Sequence, residues 1–70
     1  MSISYKKLFH ILVDRGMKDS ELRKLAGISA PTMAQLRKDQ IVQTDIIDKI
    51  CVALDCQPGD IMERIEGEGN

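Results

Sequence analysis

Few side chains in this chain have the type and spacing to do chemistry. Cys51 and Cys56 are its two cysteines and His10 is its one histidine. Two thiols with no further cysteine and no nearby histidine lack metal-ligand spacing, so both read as structural core groups, with a redox or zinc site as the alternative. There is no phosphate-cradling glycine loop, no Cys–His proximity and no carboxylate pair in an evident cleft. The expectation is a non-enzyme with no cofactor and no metal. What remains is the chemistry of hydrogen bonds and charge, concentrated in Asp19 to Lys38, DSELRKLAGISAPTMAQLRK. That stretch carries the hydroxyls of Ser29 and Thr32, the amide of Gln35 and the cations Arg37 and Lys38, with Lys18 just before it.

The same stretch dictates the elements that would hold these groups. Leu22 and Ala26 are four apart and share one helix face; Met33 and Leu36 are three apart and share another. Between the two helices Gly27 stands where the backbone must turn back, a conformation with φ > 0 that is free to glycine. Ile28 plugs the angle. Ser29 is placed to cap the second helix, and Pro31 falls in its first turn, where a missing N–H costs nothing. Two helices joined steeply by so short a turn form a helix-turn-helix, whose second helix can enter a major groove. An αα-hairpin that merely packs is the simpler alternative.

This order of apolar positions, turn glycine and capping serine resembles the Cro and phage-repressor (lambda repressor-like) family of DNA-binding regulators. The resemblance covers Ser4 to Arg64, and KICVALDCQPGDIM resembles the family's fourth and fifth helices. It implies an all-α, compact five-helix lambda repressor-like DNA-binding domain over residues 1–65, with the helix-turn-helix at helices 2 and 3. Residues 66–70 are expected to be a short acidic tail. It also implies that the exposed first turns of helix 3 face base edges, which in this sequence means Ala30, Pro31, Thr32 and Gln35. Gln35 has the shape for a bidentate contact to adenine, Thr32 for a base acceptor or a thymine methyl, and Ala30 and Pro31 for apolar contact only. So thin a surface predicts modest base specificity, with shape and phosphate contacts carrying more. Lys18, Ser29, Arg37 and Lys38 are the candidate phosphate contacts, with the amides that open helices 2 and 3.

Several positions depart from that family's pattern. The arginine–glutamate pair that many relatives place between helices 1 and 3 falls here on Leu12 and Arg37, which leaves Arg37 free for a phosphate. Arg23 stands where a small residue is usual, so its stem must lie along apolar surface with its head toward water. Residues 40–43 carry no Lys or Arg, and Asp19 near the start of helix 2 would repel a phosphate.

Elsewhere the chain reads as helices around an aliphatic core. Helix 1 is expected from a cap at Ser4 to a stop at Gly16, with Tyr5, Leu8, Phe9, Ile11 and Leu12 inward. Helix 2 is capped by Lys18 or Asp19. Asp39 and Asp55 occupy the left-handed stops after helices 3 and 4, Thr44 caps helix 4, and Pro58 opens helix 5 with Ile61, Met62 and Ile65 on its apolar side. No strand pattern is visible. Met17 and Met33 read as core filler.

Seventy residues make one domain. A core this small contributes only about 3–5 kcal/mol, so a partner chain is plausible, and relatives commonly bind as two-fold dimers. Ile61, Met62 and Ile65, or Ile41 and Val42, could supply such a contact, although Ile41-Val42 could equally be tucked into the core. Tyr5 and Phe9 are the only aromatics, which argues against single-strand recognition by base stacking. The net charge of −1 divides unevenly: residues 1–38 hold eight Lys/Arg against three Asp/Glu, and residues 39–70 hold two against eight. A basic half and an acidic half fit a phosphate-facing side and a solvent- or partner-facing side.

No stretch resembles a signal peptide or a membrane span, so a cytoplasmic location is expected, with no membrane and no small-molecule ligand. The expected function is a sequence-specific, repressor-like transcriptional regulator binding double-stranded DNA as a homodimer. Its activity would be set by concentration, oligomerisation or a partner protein. The alternative is a helix-turn-helix-shaped protein-interaction module, antitoxin-like or a regulatory adaptor, with little DNA affinity.

Overall fold

The structure, a computed structural model, describes residues 2–65; the acidic segment expected at 66–70 lies outside the described residues. The elements run β1 (Ser2–Ser4), α1 (Lys6–Arg15), α2 (Asp19–Ala26), α3 (Ala30–Arg37), α4 (Thr44–Leu54), α5 (Pro58–Ile61) and β2 (Glu63–Ile65). Five helices in the expected order surround one core, aliphatic apart from the buried Tyr5 and the partly buried Phe9. Leu8 on α1, Leu22 on α2, Leu36 on α3, Ile50 and Leu54 on α4 and Ile61 on α5 are each completely buried. Leu12 packs into the same core, as do Met33 and, partly, Met17.

The two strands were not legible in the sequence. They pair antiparallel, with Ile3 opposite Arg64 and Ser4 opposite Glu63. Three residues per strand are too few for a period of two to show, and the pairing joins residues some sixty positions apart, so no local pattern announces it. It does, however, correct two expectations. α1 begins at Lys6 rather than after a cap at Ser4, which belongs to β1, although Ser4 Oγ still accepts a bond from the Lys6 N–H at 3.2 Å. Ile65 belongs to β2 and not to the fifth helix, which ends at Ile61. A smaller correction concerns α4: Gln43 is its N-cap and Thr44 its first helical residue, with no side-chain cap bond.

Helix ends follow the expected chemistry. Gly27 has φ 71° and its N–H bonds the Arg23 carbonyl at 2.8 Å. Among the described residues Asp39 and Asp55 are the two non-glycine residues with positive φ, at 56° and 55°. Asp39 has a compensating role, since its Oδ1 accepts a bond from the Tyr5 N–H at 2.9 Å and so ties the end of α3 to the start of α1. Arg15 Nη2 donates to the Leu54 carbonyl at 2.8 Å, a cation satisfying the orphan end of α4.

The two aspartates therefore predict opposite responses to glycine. At Asp55, whose carboxylate makes no hydrogen bond among the described residues, Asp55→Gly removes left-handed strain and an unfavourable charge at a helix C-terminus. It should stabilise by about 0.5–1 kcal/mol. At Asp39 the same relief is offset by losing the bond to Tyr5, worth about 1 kcal/mol, so Asp39→Gly should give no net gain. Thermal unfolding of the two variants reads the difference as a Tm raised by a few degrees only for Asp55→Gly.

Candidate nucleic-acid interface

The two-residue connection Gly27-Ile28, closed by the cap residue Ser29, sets the geometry of α2 and α3. Gly27 turns the chain, Ile28 is buried in the angle, and Ser29 opens α3 from extended backbone. Ser29 Oγ accepts from the Thr32 N–H at 3.3 Å and donates to Thr32 Oγ1 at 2.9 Å. Met33 and Leu36 anchor the inner side of α3 in the core. The outer side carries Ala30, Pro31, Gln35 and Lys38, all exposed, with Thr32 half-buried beside them. Of this face, only Thr32 is partly covered within the described chain. Of the four sequence-predicted reading residues, Pro31 and Gln35 are exposed, Thr32 borders residues 41–46 on one flank, and Ala30 borders the α2 cleft on the other.

Beyond them lie residues the sequence reading did not place in the site. Thr32 and Gln35 form one wall of a shallow groove, and Ile41, Val42, Gln43 and Ile46 form the other. Ile41 is 84% exposed while Val42 packs against the core, so the dipeptide divides between the two roles open to it. The only sequence signal for this groove is the left-handed stop at Asp39, which turns residues 40–43 back alongside α3.

The candidate phosphate contacts separate into two groups. Lys18 and Lys38 are exposed and make no ion pair among the described residues. Ser29 is exposed, but its hydroxyl hydrogen is already given to Thr32. Arg37 is not free, contrary to expectation. Its guanidinium donates twice to Asp19, Nη2 to Oδ1 at 2.6 Å and Nε to Oδ2 at 2.9 Å, and stacks 3.9 Å from the centroid of the Phe9 ring. The hydrogen bonds to Asp19, more than their electrostatic attraction, push the Arg37 pKa up. The pair also answers the concern over Asp19, whose charge is neutralised at the opening of α2. Sequence reading missed it because the partners lie eighteen residues apart on different helices.

Arg23 sits in the cleft between α2 and α3, facing the small side chains of Ala30 and Ala34. The small residues usual on α2 are supplied here by the opposing helix. Burial goes further than expected: the stem packs, but Nε is also buried and has no hydrogen-bond partner. Ile61 is fully buried, which removes it from any dimer surface, whereas Met62 is half-buried and Ile65 exposed. Among the described residues no cluster of His, Cys, Asp and Glu could hold a metal, and no helix is long and apolar enough to cross a membrane.

A Cro/C1-type HTH DNA-binding domain model matches residues 7–67. The chain belongs to that family. It is 36% identical over 55 residues to the uncharacterised HTH-type transcriptional regulator YozG of Bacillus subtilis (strain 168), an alignment spanning 76% of this chain. The chain covers 66% of YozG's length, just under two thirds. It also resembles the crystal structure of the transcriptional regulator VanUg (Form II), with 44% identity and a TM-score of 0.84 over 89% of this chain and 83% of that one. The five-helix architecture is thus that of a family of DNA-binding regulators, whose members are not enzymes.

The thiols stand apart from this surface. Cys51 is buried and Cys56 half-buried, and the Cys56 N–H donates to the Cys51 carbonyl at 3.0 Å across the end of α4. Burial first, then the neighbouring Cys56 thiol and nearby carboxylates, push the Cys51 thiol up to about 11. A folded-state pKa above the ordinary value favours the protonated form. Its stabilisation is present below about pH 9 and lost as pH rises through about 11, on the order of 2 kcal/mol. Urea unfolding midpoints should therefore hold steady through neutral pH and fall above pH 9. Alkylation at pH 8 should label Cys56 well before Cys51.

Proposed function

We propose that this protein is a sequence-specific, repressor-like transcriptional regulator that reads the major groove of double-stranded DNA with α3. The observation that carries this reading is the uncovered outer face of α3, held away from the core by the Gly27 turn. In it, Gln35 makes the principal base contact, Thr32 a secondary one, and Ala30 and Pro31 contact thymine methyls. Lys18, Lys38 and the amides opening α2 and α3 hold phosphates, with Ser29 able to join once its hydroxyl turns from Thr32. The chain acts in the cytoplasm as a homodimer, without a membrane or a small-molecule ligand. Exposed Ile65 and half-buried Met62 remain on the surface available for self-association.

Selection of bound sites from a random duplex library tests this directly. A palindromic consensus, with half-sites about one helical turn apart, is the expected result. Affinity for the selected duplex should fall steeply between about 50 and 200 mM salt. Gln35→Ala should cost about 1–3 kcal/mol of discrimination at one base pair. Lys38→Ala should weaken all duplexes alike and flatten the logarithmic salt slope by about 0.9. Absence of duplex binding even at about 50 mM salt would favour the protein-interaction reading instead.

A further inference from the structure

α2 and α3 form a V. Its apex is the Gly27 turn, and its open end lies between Asp19, the first residue of α2, and Arg37, the last of α3. Arg37 spans that gap with a two-pronged bond to Asp19 while its flat face rests on Phe9 of α1. One side chain thereby ties three helices. The partners' side chains are 53% and 37% exposed, so water and salt screen the pair and it adds little to global stability. Its geometry suits another use. A planar fork paired at two points and stacked on a ring fixes direction as well as distance.

Inside the V, Leu22, Met33 and Leu36 share the core, and the outer cleft between the helices is more thinly packed. Across the cleft, α3 faces the Arg23 stem with Ala30, Ala34 and the buried Met33, and the two alanines are too small to interlock strongly. The apex fixes where α3 begins. It does not by itself fix where α3 points.

We infer that Arg37 is a positioning residue of the reading surface. With Asp19 and Phe9 it closes the open end of the V and holds the angle at which Pro31, Thr32 and Gln35 are presented. Its Nε and Nη2 are engaged by Asp19 and its flat face by Phe9, so a phosphate contact through the remaining donors is the competing role that the salt series separates. This inference rests on the DNA-binding reading above and assigns Arg37 a different role within it.

The test compares wild type, Asp19→Asn, Arg37→Gln and the double variant, in which net charge is unchanged. Affinities are measured for the selected duplex and for a scrambled duplex across a salt series. Changes in charge act alike on both duplexes and cancel in their affinity ratio, whereas loss of positioning lowers it. The ratio should fall about threefold to tenfold in each single variant and no further in the double variant, because either change releases the same contact. The salt slope of the double variant should match wild type.

An unchanged ratio, with a double-variant slope flattened by about 0.9, would make Arg37 a phosphate contact and overturn the inference. A second measurement needs no DNA. Amide exchange at Leu36 to Lys38 in the free protein should speed up about threefold to tenfold in both single variants, with Leu22 and Ile50 unchanged. Faster exchange at Leu36 to Lys38 without any duplex binding by wild type would sink the DNA reading while upholding the three-helix tie. Unchanged exchange there would sink the tie.

Discussion

A left-handed backbone at Gly27 is the constraint on which the other features depend. Its φ of 71° reverses the chain within one residue, and the next side chain, Ile28, drops into the core. A β-branched residue at position 27 would meet a steric penalty there whatever the space around it. Once the turn is made, Leu22 and Met33 must pack toward the same interior, and the outer side of α3 is left facing solvent. The exposed outer side of α3 and the buried core are two results of one backbone conformation.

Charge in the basic half is spent in two ways. Arg15 satisfies the last turn of α4, Lys7 donates to the Gly59 carbonyl at 3.3 Å, and Arg37 is tied to Asp19 and Phe9. These cations act as internal fastenings between helices. Lys18 and Lys38, at the opening of α2 and the end of α3, are exposed and make no ion pair among the described residues. The excess of positive charge in residues 1–38 therefore overstates what the surface can offer to phosphates. The missing arginine–glutamate pair follows the same logic: Leu12 took the buried position, and Arg37 found a carboxylate on α2 instead of α1.

Much of the candidate site could be read from residue order, because its parts are local. The glycine, the serine three residues before Thr32, and the spacing of Met33 and Leu36 each act within one or two turns of helix. Pro31 and Gln35 consequently lie exposed on the outer side of α3, with Thr32 and Ala30 on its two flanks. The groove wall formed by Ile41 and Gln43 did not come from spacing, since it depends on where the chain travels after Asp39. The acidic stop itself was legible, but its bond to the Tyr5 amide, thirty-four residues away, was not.

By itself the amino-acid order determined which segments are helical, where the first four stop, and which faces are apolar. Those outcomes rest on hydrogen bonds and side-chain packing between residues at most four or five apart. Tertiary structure alone decided the strand pairing of Ser2–Ser4 with Glu63–Ile65, the burial of Ile61, and the partners of Arg37 and Asp39. Each of those joins distant residues through directional contacts. Composition and periodicity carry no record of such contacts, because they exist only after the chain has closed on itself.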